Sequence, residues 1–179
     1  MKKFILFFIA VLLTLPGVAL AQNETLSRED INRIANSVVL ILTFDQSGEP
    51  LASGSGTIVA PNGVIYTNRH VVEGGSDFAI LTLENMGEPA QLEYFATATL
   101  LHPSLDFAEL QIDRDADGRS LDPTSLNLPF IPLDTDTLSI GDPIFVFGYP
   151  DLGEAHMVLT NGAVTTVLND TLNGVRLPF

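Results

Sequence analysis

The sequence predicts an all-β fold with one short helix at its N-terminal side. Three observations carry that prediction. Residues 37–113 hold six short runs of β-formers with apolar residues at period two. Tight turn chemistry separates the runs: Ser47-Gly48-Glu49-Pro50, Pro61-Asn62-Gly63, Gly74-Gly75-Ser76-Asp77 and His102-Pro103-Ser104. Only one stretch, Thr25 to Asn36, reads as a helix. There Ser27 can cap the first turn, Asp30 follows three residues on, and Ile31 and Ile34 share a face.

The expected strands of this first unit are Ser37–Phe44, Ser55–Ala60, Val64–Thr67, Phe78–Leu83, Leu92–Leu101 and Phe107–Asp113. Pro61-Asn62-Gly63 between two apolar runs marks a hairpin. Six strands joined so closely imply a small antiparallel barrel or sandwich. Closure is favoured because an open sheet leaves two unprotected edges. Residues 114–129 are poor in strand formers and rich in Asp, Ser and Pro, which reads as a connector. A second β unit, residues 130–179, offers strands at Pro143–Phe147, Met157–Thr160, Ala163–Leu168 and Val175–Phe179. Four strands are too few to close a barrel like the first.

The N-terminal residues have a different character. Lys2 and Lys3 precede an apolar run from Phe4 to Leu15, and Ala19-Leu20-Ala21 supplies a small-x-small site. This is the layout of a signal peptide over residues 1–21, leaving residues 22–36 for the helix. The run is short against the ~20 residues of a membrane-spanning helix, so the expectation is an exported chain, periplasmic or extracellular, without stable membrane insertion after cleavage. The formal charge is −14, from 22 acidic and 8 basic side chains. Such a surface repels nucleic acid at long range, and no basic cluster reverses it. There is no cysteine, which excludes a disulfide framework, a thiolate metal site and a cysteine nucleophile.

Two residues stand out for chemistry. The chain has three histidines, His70, His102 and His156. His70 sits where the run Val64–Thr67 ends and the turn Val71–Gly75 begins, and strand ends on a rigid sheet are favoured places for catalytic groups. Asp106 follows the turn His102-Pro103-Ser104 and shares parity with Ala108, Leu110 and Ile112. It is therefore expected to point inward at the start of a half-buried strand. A buried carboxylate needs a partner, and an imidazole N–H is a suitable one. A carboxylate that caps its own turn satisfies the same pattern. His102 and His156 are expected to be bland, His102 exposed at its turn and His156 ahead of a strand. Asp113-Arg114-Asp115-Ala116-Asp117-Gly118 matches the first half of a calcium loop, with Asp113, Asp115 and Asp117 as ligands. The twelfth position is Thr124, where such a loop needs glutamate. A polar hairpin turn with Gly118 at positive φ is the competing reading.

Four stretches resemble one family, in its order. Gly54–Val59 with Gly63–Val72, including Thr67-Asn68-Arg69-His70-Val71-Val72, is similar to the catalytic-histidine region of HtrA/Deg-type trypsin-like serine proteases. Leu105-Asp106-Phe107-Ala108 resembles their catalytic-aspartate segment. Ile140–Pro150 and Asn161–Thr165 resemble stretches of their second barrel. The resemblance implies a trypsin-like double β-barrel, with the first barrel (37–113) complete and the second (130–179) truncated. It implies a serine endopeptidase acting on exported proteins, with protein or peptide substrates and no cofactor or metal. His70 would be general base and then general acid, and Asp106 its orienter. Oligomers of the full-length protein are possible for such a family. The nucleophile would lie in a Gly-Asn-Ser-Gly-Gly stretch after a strand like Val175–Phe179. No serine after Asp106 in these residues has flanking glycines, so the chain as written is expected to be inactive. The alternative is a non-catalytic, protease-like binding module of the cell envelope.

Overall fold

A computed structural model describes residues 25–134, 136–150, 155–167, 169–172 and 175–178. The expected signal peptide, residues 1–21, lies outside these. Among the described residues, no helix is long and apolar enough to cross a membrane.

The fold is mostly β. Six strands form a closed barrel: β1 Val38–Phe44, β2 Pro50–Ala60, β3 Val64–Thr67, β4 Asp77–Thr82, β5 Gln91–Leu101 and β6 Ala108–Asp115. Their order round the barrel is β1-β2-β3-β6-β5-β4, with β4 returning to β1 and every pair antiparallel. The core is the inward parity of these strands. Val39, Ile41, Ile58, Ile65, Ile80, Leu110 and Ile112 are all buried within it. Strand β1 is apolar on both parities because both its faces are covered. Val39 and Ile41 point into the barrel, while Val38 and Leu40 join an outer cluster with Ala90 and Tyr149, against which Ile34 and Phe147 pack.

Helix α1, Arg28–Ala35, starts where expected, with Ser27 Oγ accepting from the Asp30 N–H at 3.0 Å. Gly63 closes the β2–β3 hairpin at φ +84°, a conformation that other residues rarely adopt. Strand β2 begins five residues earlier than its β-former run, because Pro50–Ser53 pair with the far end of β1 across a bulge.

The connector is not idle chain. Strand β6 extends into it as far as Asp115, and residues 114 and 120 then close a small hairpin. Leu121, Leu126 and Leu128 pack against the barrel core, Leu126 just past a 3-10 turn at Pro123–Ser125. Beyond it lie two two-stranded sheets, β7 Pro143–Gly148 with β8 Val158–Ala163, and β9 Asn169–Leu172 with β10 Val175–Pro178. Of the expected strand Ala163–Leu168, Ala163 ends β8 and residues 164–167 form no strand, while Leu168 lies outside the described residues. Val164 instead exchanges backbone hydrogen bonds with Gly141 and Asp142, so it finishes the β7–β8 hairpin. The β7–β8 hairpin docks on the barrel through Tyr149, whose N–H donates to Ser55 Oγ at 2.8 Å.

Candidate active site

One register decides which residues meet at the rim of the barrel. Thr67, the last residue of β3, pairs with Ala108, the first of β6. The strands are antiparallel, so the chain leaving β3 and the chain entering β6 emerge at the same end. Residues 68–70 and 102–107 are therefore brought face to face.

After Thr67 the chain makes a single helical turn, α2, Arg69–Val72. Here the structure differs from the sequence reading, which had a loop turn beginning at Val71. Four residues cannot hold a helix by themselves. Packing holds this one, with Val71 and Val72 buried in the barrel core. The buried Thr43 Oγ1 donates to the Val71 carbonyl at 2.7 Å. Gly54 leaves room for the arrangement, since a Cβ there would lie 2.5 Å from Val71 Cγ2. His70, between Arg69 and Val71, is thus an exposed residue on a buried anchor.

The opposing segment is the β5–β6 turn. The His102 N–H closes it by donating to Phe107 O at 2.9 Å. The His102 imidazole caps it, with Nδ1 accepting from the N–H groups of Ser104 and Leu105 at 3.2 and 2.9 Å. His102 is accordingly half-buried and not exposed as its position in a turn suggested. Phe107 packs edge-on against Tyr66 of β3, ring centroids 4.9 Å apart.

His70 and Asp106 meet across this gap. His70 Nδ1 lies 2.7 Å from Asp106 Oδ2, and the His70 backbone N–H donates to Oδ1 at 2.9 Å. A carboxylate only accepts, so this contact selects the tautomer with the proton on Nδ1. Asn68 Nδ2 donates to both Oδ2 and the backbone oxygen of Asp106, each at 3.1 Å. The Asp106 carboxyl is held below its ordinary value near 3.8, chiefly by the His70 backbone N–H, then by the His70 ring, with Asn68 adding to both.

The expectation that Asp106 is buried is corrected. Its side chain is 52% exposed and that of His70 68% exposed. The period-two pattern holds for Ala108, Leu110 and Ile112, which are fully buried. It does not reach back to Asp106, because β6 begins only at Ala108 and Asp106 belongs to the turn.

Two residues at this site had no role in the sequence reading. Asn68 and Arg69 both stand in the Thr67–Val72 stretch, but the targets through which their side chains hold the β5–β6 turn lie more than thirty positions away. Arg69 Nη1 donates to the carbonyls of His102 and Pro103, each at 3.2 Å, and Nη2 pairs with Glu73 at 2.6 Å.

The acidic loop has its own internal partners. Asp113 accepts from Thr97 and Arg114. Asp115 accepts from the N–H groups of Asp117 and Arg119, and Asp117 pairs with the Arg119 side chain. Gly118 has φ +78°, as the hairpin reading requires. Among the described residues, no group of three or more acidic or histidine side chains could hold a metal ion. His156 is exposed just ahead of β8.

Comparison with known proteins adds an independent line. The sequence pattern of the trypsin-like peptidase domain matches residues 54–177. A protein of Halomonas elongata named "Probable periplasmic serine endoprotease DegP-like" is 32% identical over 134 residues, covering 74% of this chain and 24% of that protein. The like-named protein of Pseudomonas savastanoi pv. phaseolicola is 29% identical over 135 residues, 75% of this chain and 24% of its own length. The chain thus spans about a quarter of the length of these relatives. Among solved structures, the serine endoprotease from Yersinia pestis matches with a TM-score of 0.58 at 24% identity, over 80% of this chain and 46% of that one, a likeness in fold.

Proposed function

The chain belongs to the trypsin-like peptidase domain family, and from that premise we propose that it is the histidine- and aspartate-bearing part of a serine endopeptidase acting on exported proteins. The observation that carries the proposal is the 2.7 Å contact between His70 Nδ1 and Asp106 Oδ2 at the barrel rim. With its Nδ1 proton held by the carboxylate, the ring has Nε2 free as a base. In acyl transfer, a serine Oγ loses its proton to Nε2 as it attacks the substrate carbonyl. His70 then returns that proton to the leaving amine. Asp106 stays ionised throughout, fixing the ring and stabilising the imidazolium. The lowered pKa of Asp106 suits that role.

Two features support an exported site of action. One is the basic, apolar and small-residue order of residues 1–21. The other is the periplasmic designation in the names of the relatives.

The serine nucleophile is the part these residues do not supply. Ser120, Ser125 and Ser139 follow Asp106, and none has flanking glycines. Residues 22–179, purified, should therefore leave casein intact. Casein hydrolysis that His70→Ala abolishes would overturn this part of the proposal. A longer product of the same gene, if it carries a Gly-Asn-Ser-Gly-Gly stretch, should hydrolyse casein. His70→Ala or Asp106→Asn in that product should lower turnover by on the order of 10⁴-fold. Undiminished turnover in either variant would refute the roles assigned to the pair.

A further inference from the structure

We propose that Arg69 is a positioning residue for the His70–Asp106 pair, acting by gripping the turn that presents Asp106. This rests on the functional reading above and goes beyond it, because Arg69 touches neither member of the pair through its side chain.

Three consecutive residues reach from one segment to the other. Asn68 and His70 both bond Asp106 itself. Arg69, between them, reaches further back and donates through Nη1 to two successive carbonyls, those of His102 and Pro103. Those carbonyls belong to the near end of the same turn. The turn is already rigid on its inner side, closed by the His102 N–H on Phe107 O and capped by the His102 imidazole. Arg69 therefore grips a formed unit, and moving its near end moves Asp106 with it. Glu73, one helical turn on, holds the second terminal nitrogen, Nη2, and so fixes the direction in which Nη1 points.

The geometry suits arginine. A planar guanidinium offers several donors in fixed directions, whereas a lysine ammonium is a point charge on a flexible stem. Because the pair is exposed, neither Asp106 nor His70 is fixed by surrounding packing. Its alignment depends on the few bonds that tie the turn to α2, and Arg69 supplies two of them.

The test reads the tautomer of the neutral His70 ring from its ring-nitrogen NMR shifts in the 179-residue chain, with His70→Gln identifying its signals. The parent should hold its ring proton on Nδ1, the nitrogen that faces Asp106 Oδ2. Asp106→Ala is the reference for a lost acceptor and should return the proton largely to Nε2. Arg69→Ala should move the tautomer in the same direction, by at least half as much, because Asp106 is no longer held on the ring. Arg69→Lys keeps the charge but not the fork, and should give a smaller move. It also decides the matter if Arg69→Ala fails to fold. Folded Arg69 variants that keep the parent's Nδ1 proton, with Asp106→Ala still effective, overturn the positioning role alone. An Asp106→Ala variant that leaves the tautomer unmoved overturns the functional reading instead.

Discussion

Replacing Gly54 by alanine should displace the short helix that carries His70. The backbone at Gly54 is ordinary, so alanine has no conformational objection there. The obstacle is space. The added methyl would sit 2.5 Å from Val71 Cγ2 and 2.9 Å from Cγ1, closer than real Cβ contacts come. Val71 is buried in the barrel core and cannot swing into solvent without leaving a void. Overpacking of this kind costs about 1–3 kcal/mol, or roughly 2–12 °C in melting temperature for a chain of this size. The opposing gain, from restricting the unfolded chain, is only about 0.4–1 kcal/mol. Val71→Ala alone should cost about 2 kcal/mol through lost burial. In the double variant the new methyl occupies the space that the valine methyls leave, so the double should be no less stable than Val71→Ala. Urea unfolding of the four proteins measures this cycle, and a coupling of at least ~1 kcal/mol is expected for residues in such contact. Two effects that simply add, or a Gly54→Ala variant more stable than the parent, would refute the claim that α2 is seated on β2 at this glycine.

Two further outcomes follow from the same geometry. Thr43→Val keeps the side-chain shape but removes the buried donor to the Val71 carbonyl, which should cost about 1–3 kcal/mol in urea unfolding; a neutral result would mean that water or another donor replaces it. The lowered pKa of Asp106 predicts a pH-dependent share of stability. Its sign follows from the depressed folded-state value, so the contribution is present above the ordinary value near 3.8 and is lost as pH falls through the folded value. The stability difference between the parent and Asp106→Asn should therefore shrink as the pH falls below about 4. A difference that persists unchanged at pH 2 would contradict the pairing.

Much of this protein is legible in its sequence because the governing physics is local. Period-two runs of Val, Ile and Leu bounded by Pro-Asn-Gly or Ser-Gly turns specify strands, and the six runs between residues 37 and 115 all form them. Ser27 marks the helix start because a capping hydroxyl acts within three residues. The Thr67–Val72 and Leu105–Ala108 stretches pointed to His70 and Asp106 through family resemblance, and the structure brings those two residues together.

Tertiary structure decided what depends on partners far along the chain. The Thr67–Ala108 register puts the two rim segments side by side, and no run of residues announces a register between strands forty positions apart. Packing made a helical turn of Arg69–Val72, which is too short to form on propensity. Asp106 lies two residues outside the strand whose alternation suggested its burial, so it is exposed and held by hydrogen bonds from Asn68 and His70. Arg69 has an ordinary cationic sequence signature, and its targets on the β5–β6 turn are two backbone carbonyls, which carry no side-chain signal at all. What the sequence by itself determined was which segments of the first barrel would be strands, and it marked His70 and Asp106 as the candidates for chemistry. Only the closed barrel decided that the imidazole and the carboxylate share one rim, and which neighbours hold them there.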